Sequence, residues 1–136
     1  MSQGQHKWQR YIDEVLILTG QVSEAAIHGL DGTKIASSPN LTVSKDQIHK
    51  LLACITGDES CLQTNGIKIG DVSYVFLRSD PGRSVFGRLG TDAGVVVFMA
   101  NKVLLIGTFK AGIQPNNCAN LVEKLSDYIA KYDHST

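Results

Sequence analysis

The second half of the chain constrains the fold most strongly, because short apolar runs alternate there with turn-forming residues. From Gly66 onward the runs are Ile67 to Ile69, Val72 to Arg78, Ser84 to Arg88, Val95 to Ala100 and Val103 to Phe109. The dipeptides between them, such as Gly70-Asp71 and Pro81-Gly82, are too short for the crossover that parallel strands need. We therefore predict five strands joined as antiparallel hairpins.

Two of these runs, VVVFMA and VLLIGTF, do not alternate apolar with polar residues. A strand with one solvated face alternates, whereas a strand covered on both faces does not. We therefore expect helices on both sides of the sheet.

Helical spacing identifies those helices. The first carries Trp8, Tyr11, Ile12, Val15 and Leu16 on one apolar stripe and ends at Gly20. Ser44 and Gln47 form a predicted capping box for a second helix that ends at Gly57. A long amphipathic third helix opens near Pro115 and reaches Tyr132.

Two further strands, Ala25 to Leu30 and Thr33 to Ser38, are predicted around Asp31-Gly32, a dipeptide favoured in tight primed turns. The expected fold is α+β: a single antiparallel sheet of six to seven strands, with the N- and C-terminal helices on one face and a shorter helix on the other. One domain is expected over residues 1–136, with residues 1–6 flexible.

Composition excludes several classes of partner and site. The formal net charge is zero, which does not favour nucleic acid as a partner, although basic residues outnumber acidic ones between Lys68 and Lys110. The start lacks the apolar core of a signal peptide, and no apolar run reaches the ~20 residues of a membrane span, so a cytoplasmic location is expected. Cys54, Cys61 and Cys118 favour reduced buried thiols over a disulfide framework.

No catalytic or metal-binding pattern is present in the sequence. The four histidines are isolated, with no HExxH, no His and Cys at ligand spacing and no GxSxG elbow. The glycine-rich segment from Gly87 to Gly94 leads into a strand, so it is interpreted as a hairpin loop and not as a nucleotide cradle. We expect no enzyme activity, no cofactor and no metal.

The aromatic residues are segregated along the chain. All four Phe residues lie in the strand region, whereas Trp8 and three of the four Tyr residues lie in the terminal helices. An aromatic stripe at helical spacing is most often ordinary core packing. The functional alternative is a half-wet groove between the two helices, since Trp and Tyr keep polar tips that can bind a proline-rich segment in the polyproline II conformation.

Three segments carry a resemblance to the profilin family. WQRYID, from Trp8 to Asp13, resembles the family signature W-x-x-Y-I/V-D, and Ala25 to Gly32 resembles the AAI-x-G-x-DG hairpin that follows it. The segment from Cys118 to Tyr128 resembles the family's last helix. The resemblance implies a cytoplasmic, cytoskeleton-associated protein, expected to be monomeric, that binds and sequesters monomeric actin, regulates its polymerisation and nucleotide exchange, and binds proline-rich partners such as formins and phosphoinositide headgroups.

The resemblance also implies site residues. The polyproline site would be formed by Trp8, Tyr11, Tyr128, Tyr132 and His134. The actin site would be formed by Ser73, Val75, Leu77, Arg78, Arg88, Ile113, Asn116, Asn117, Asn120, Glu123 and Lys124, with Arg78 and Arg88 also on phosphoinositides. Ile35 stands where many members carry a Trp, which removes one stacking surface from the groove.

Two alternatives stay open at this point. One is a profilin-fold adaptor with weak or no actin binding. The other is a small dimerising regulatory or scaffold domain, which would use the apolar VVVFMA and VLLIGTF strands at a sheet edge or face.

Overall fold

The structure, a computed structural model, describes residues 3–57, 66–80, 82–100 and 102–132, with side chains described from Lys7 to Lys131. The helices are α1 (Gln3–Arg10), α2 (Lys45–Thr56) and α3 (Pro115–Tyr132). The strands are β1 (Glu24–Gly29), β2 (Lys34–Ser37), β3 (Ile67–Ile69), β4 (Val72–Asp80), β5 (Ser84–Leu89), β6 (Ala93–Ala100) and β7 (Val103–Phe109). None of the helices in these parts of the chain is long and apolar enough to cross a membrane.

The strands form one antiparallel sheet in the order β2-β1-β7-β6-β5-β4-β3. The predicted hairpins are therefore confirmed, including the connection between Leu89 and Ala93 in the glycine-rich segment. VVVFMA and VLLIGTF lie in β6 and β7, which are interior strands of the sheet. Because both strands are paired on each side, neither has a free edge through which a dimerising scaffold could pair with a second copy.

Each face of the sheet is covered by a separate apolar core, as the non-alternating runs predicted. On one face Ile27 and Leu105 pack with Trp8, Ile12 and side chains of α3. On the other face alternate residues of the same strands pack with α2, including Ala26, Leu104 and Ile48. The terminal helices therefore share one face and the shorter helix lies on the opposite one.

The N-terminal helix, which we define as residues 3–19, is not the uniform α-helix that its periodicity predicted. It begins at Gln3, within the segment expected to be flexible, and α1 passes into a π-helical turn, Tyr11–Leu16, and a 3₁₀ turn, Ile17–Thr19. The backbone N–H of Ile17 donates to both Ile12 O and Asp13 O. This widened turn rotates the residues within it, and Val15 is 39% exposed although it belongs to the predicted buried stripe.

The capping box of α2 is confirmed at both of its hydrogen bonds. The Ser44 hydroxyl oxygen accepts from the Gln47 N–H at 3.1 Å, and the Gln47 side-chain oxygen accepts from the Ser44 N–H at 3.2 Å. Two orphan N–H groups at the helix start are thereby satisfied.

Two local expectations were wrong. The β1–β2 strand pairing ends at His28 and Lys34, so the connection is longer than a two-residue primed turn, and the Asp31 carboxylate accepts from the Thr33 N–H inside it. Cys54 is disulfide-bonded, whereas Cys118 is a free buried thiol. Three cysteines are compatible with one bridge and one free thiol. Cys61 lies outside the described residues.

Candidate functional site

Helix α3 divides into a buried stripe and two flanks. The residues Cys118, Val122, Leu125 and Ile129 are buried against the sheet. At 3.6 residues per turn, successive side chains are rotated by about 100°, so the remaining positions include two further faces of the helix, which we call its flanks. One flank carries Asn117, Leu121, Lys124 and Tyr128; the other carries Asn116, Asn120, Glu123 and Asp127.

The first flank faces the N-terminal helix. The rings of Tyr11 and Tyr128 lie 6.2 Å apart between centroids, at an interplanar angle of 77°. Just beyond the end of the N-terminal helix, the Gln21 side-chain oxygen accepts a hydrogen bond from the Asn117 side-chain amide at 3.1 Å. These two contacts fix the helices as antiparallel neighbours. We call the cleft between them the interhelical groove.

The predicted aromatic cluster forms at one end of this groove, but its members differ in accessibility. Trp8 is only 3% exposed and lies edge-on to Tyr11 at 5.4 Å. Tyr11 is half-buried and Tyr128 is 50% exposed. The accessible aromatic surface is therefore Tyr11 with Tyr128, while Trp8 packs beneath them.

The structure describes only some of the other residues predicted for the aromatic site. Tyr132 is the last residue of α3, with its side chain outside the description, and His134 lies outside the described residues. Ile35, at the position of the missing Trp, is half-buried and packs against the same core as Trp8. It contributes apolar contact and no N–H donor.

The second flank of α3 forms another groove with the tip of the β4–β5 hairpin. We call it the arginine groove; its volume is about 270 Å³ and it is lined by Arg78, Arg83, Phe86, Phe98, Asn116, Asn120 and Glu123, among others. The Arg78 guanidinium lies 4.2 Å from the Phe86 ring centroid, which is the geometry of a cation–π contact.

A salt bridge closes one side of the arginine groove. Arg83 Nη2 is 2.6 Å from Glu123 Oε2 and 3.6 Å from Asp127 Oδ1. Neither Arg83 nor Asp127 was among the residues predicted from the sequence. Arg83 directly follows the turn-forming Pro81-Gly82 and belongs to the basic stretch between Lys68 and Lys110. These two features of the sequence could have identified it as a candidate.

The structure brings together only part of the predicted actin set. Arg78, Asn116, Asn120 and Glu123 share the arginine groove. The exposed residues Ser73, Val75, Leu77 and Arg88 lie beside it on the sheet surface that α3 leaves uncovered, where Val75 pairs with Arg88 and Arg78 with Phe86. Ile113 is half-buried before α3. Asn117 and Lys124 lie on the other flank, where Asn117 bonds Gln21 and Lys124 is exposed.

Within the described ranges, no three or more His, Cys, Asp and Glu side chains are grouped closely enough to hold a metal ion. Two groups with shifted pKa values, Cys118 and His28, lie in the core and not in either groove. Burial raises the pKa of the Cys118 thiol to about 12, and burial also lowers the pKa of His28. The two grooves contain aromatic rings, side-chain amides and paired charges, which are groups typical of recognition surfaces.

Comparison with known proteins agrees with this architecture. The family model for profilin matches residues 6–133. Profilin-2 of Acanthamoeba castellanii is 41% identical over 122 residues, which is 90% of this chain and 94% of that protein. The crystal structure of Acanthamoeba castellanii profilin II superposes with a TM-score of 0.86 at 40% identity, covering 91% of this chain and 97% of the other.

A more distant structure shares the fold alone. Mouse profilin IIa, solved in complex with a double repeat from the FH1 domain of mDia1, has a TM-score of 0.75 at 20% identity, over 91% of this chain and 96% of the other. The family match spans nearly the whole chain, and the relatives are covered over almost their full length. This chain belongs to the profilin family.

Proposed function

We propose that this chain is a cytoplasmic, cytoskeleton-associated adaptor that binds monomeric actin on one surface and proline-rich segments on another. It regulates actin polymerisation and nucleotide exchange through those contacts and has no catalytic role of its own. The observation that carries the proposal is the division of α3 into two flanks, one facing the N-terminal helix and one facing the arginine groove.

The proline-rich ligand occupies the interhelical groove. Its pyrrolidine rings stack on Tyr11 and Tyr128, whose centroids are 6.2 Å apart, and its carbonyls accept hydrogen bonds from the phenol groups. A polyproline II helix is already extended in solution and loses little conformational entropy on binding. Tyr132 and His134, which follow Tyr128 in the sequence, are proposed to complete the site.

Monomeric actin occupies the arginine groove and the neighbouring strand surface. Val75 and Leu77 are exposed apolar residues on β4, and Arg78, Arg88, Asn116 and Asn120 surround them with charge and amides. An apolar centre with a polar rim is typical of protein interfaces. A phosphoinositide headgroup would bind the same arginines, Arg78 and Arg88, and would therefore compete with actin.

The test separates the two surfaces with variants that leave the core intact. Tyr128→Ala is preferred to Trp8→Ala, because removing the buried Trp8 side chain would cost about 3–5 kcal/mol of folding stability. We expect Tyr128→Ala to weaken retention on poly-L-proline by about tenfold and to leave actin binding intact. Arg78→Ala should weaken binding to labelled actin monomer and leave retention on poly-L-proline intact.

Nucleotide exchange is measured in the same titration, as release of a fluorescent nucleotide from actin. If the wild-type chain accelerates nucleotide release and Arg78→Ala does not, the result supports the proposed regulation of exchange. Binding to poly-L-proline without binding to actin would identify the chain as an adaptor with little actin activity. Full retention of Tyr128→Ala on poly-L-proline would contradict the proposed groove.

A further inference from the structure

A third groove lies at the edge of the sheet, between β3 and α2, and the proposed function does not use it. Its volume is about 750 Å³. Leu51 and Cys54 of α2 and Ile67 of β3 line it and belong to the core on the face opposite the terminal helices. Lys68 of β3 lines it as well. The groove therefore joins an apolar floor to the backbone of an edge strand.

The backbone of β3 directs polar groups toward this groove. Ile69 pairs with Val72 across a turn of two residues, and the residues that flank such a turn exchange both of their backbone hydrogen bonds. Hydrogen-bonded and non-hydrogen-bonded pairs alternate along an antiparallel ladder. The next pair, Lys68 with Ser73, is therefore not hydrogen-bonded, and the N–H and C=O of Lys68 point to the free edge.

A side chain of α2 already pairs with the same edge two residues further on. The Gln47 amide donates to Gly70 O at 2.9 Å and accepts from the Gly70 N–H at 3.0 Å, as a peptide group of an added strand would. The N–H and C=O of Lys68 have no such partner within the described parts of the chain. An extended segment can therefore supply beside Lys68 what Gln47 supplies beside Gly70.

We propose that an extended peptide segment of a partner protein lies in this groove and adds to β3 as an eighth strand of the sheet. The strand β3 has three residues and carries a lysine, features that discourage pairing with another sheet. A short segment therefore fits this edge better than a second copy of the chain.

The pleat of the sheet gives the sequence that the segment needs. Ile67 and Ile69 are buried under α2, whereas Lys68 between them is exposed on the other face. The peptide residue that exchanges hydrogen bonds with Lys68 lies beside its side chain and should be acidic. The two neighbours of that residue point into the groove and should be apolar.

The charge preference comes from Lys68 and not from the helix. Lys50 and Asp46 both line the α2 side of the groove, so these two side chains add no net charge. The segment that fits is therefore apolar-acidic-apolar.

The experiment follows the backbone amide of Lys68 by NMR in the full chain while the peptide Gly-Ser-Val-Glu-Val-Ser-Gly is added. We expect a saturable shift of this resonance and slower hydrogen exchange, because strand addition gives the N–H its hydrogen bond. The same peptide N-methylated at Glu lacks the N–H that donates to Lys68 O and should bind about tenfold more weakly. Replacing both Val residues by Ser should weaken binding by a similar factor.

Two variants of the chain locate the segment. In Lys68→Glu, a peptide with Lys in place of Glu should bind about fivefold more tightly than the Glu peptide, which reverses the wild-type preference. Ala53 is exposed on the wall of the groove, so Ala53→Arg should block binding. Ala111→Arg, the same change at an exposed residue before α3, should leave binding intact.

Three outcomes would overturn the proposal. Equal binding of the N-methylated peptide would mean that apolar side chains dock without strand addition. An unchanged Lys68 amide with every peptide would mean that the edge takes no strand. A shift that appears when the chain alone is concentrated would assign the edge to a second copy. None of these results depends on the interhelical groove or the arginine groove, so the proposed function is tested separately.

Discussion

At the scale of single residues, His28 combines deep burial with an incomplete set of hydrogen bonds. Its Nδ1 lies 3.2 Å from Gly32 O in the β1–β2 connection. Its Nε2 is buried with no hydrogen-bond partner among the described residues. Burial, opposed by the Gly32 hydrogen bond and reinforced by the charge of Lys34, lowers the pKa of this histidine below its ordinary value of 6.5. The fold therefore favours the neutral form of this imidazole over the charged one.

This burial predicts a pH dependence of stability with a definite sign. Because the folded pKa lies below the unfolded one, the contribution is fully present above the unfolded pKa and is lost as the pH falls. Urea unfolding at about pH 7.5 and about pH 5.5, above the range in which most carboxylates titrate, should show a lower midpoint at the acidic pH. The His28→Leu variant should lose less of its midpoint. An equal fall in both proteins would contradict this assignment.

Trp8 illustrates how far a residue's identity predicts its role. The spacing of Trp8, Tyr11 and Ile12 predicted one amphipathic helix, and the aromatic segregation predicted a groove. Which of these side chains is buried most deeply depends on the residues of α3 that pack over them. The spacing of apolar residues in the sequence does not predict that packing. Trp8 is consequently a packing residue with Tyr11 on its edge, and the accessible rings are those of Tyr11 and Tyr128.

At the scale of elements, α2 offers the clearest test of a local sequence signal. Ser44 closes the capping box, and the Gln47 side chain also bonds both the N–H and the C=O of Gly70, at 3.0 and 2.9 Å. Ser44→Ala should lower the free energy of unfolding by about 1 kcal/mol. Gln47→Ala should cost more, because it also leaves two backbone groups of the β3–β4 turn without their partner.

Urea denaturation of the two variants checks this order, with Lys50→Ala on the exposed side of α2 as the control. A Gln47→Ala variant no less stable than Ser44→Ala would show that the bonds to Gly70 contribute little.

The elements differ in how much of them was predictable. The bounds of β3 and β7 match the apolar runs, because turn-forming residues directly adjoin each run. The N-terminal helix differs, since its π-helical turn at Tyr11–Leu16 has no signature in apolar spacing. The separation of Asn117 and Lys124 from Asn116 and Asn120 follows from helical geometry, but assigning a role to each flank required the neighbouring helix and the arginine groove.

At the scale of the whole molecule, α3 separates the two proposed recognition surfaces. An α-helix with its side chains is about 10 Å across, so ligands in the interhelical groove and the arginine groove need not touch. The buried stripe of Cys118, Val122, Leu125 and Ile129 fixes both flanks against the sheet at once. We therefore predict that a proline-rich segment and actin bind the same molecule at the same time.

The most direct test is a titration of actin monomer into the complex between this chain and a dye-labelled decaproline peptide, followed by fluorescence anisotropy. Simultaneous binding predicts that anisotropy rises above the value of the binary complex, because the peptide tumbles with a larger assembly. Tyr128→Ala should raise the concentration of this chain needed for the starting signal by about tenfold, and Arg78→Ala should reduce the rise at a given actin concentration. A fall toward the anisotropy of free peptide as actin is added would mean that the two ligands share one site, which would contradict the separation of surfaces by α3.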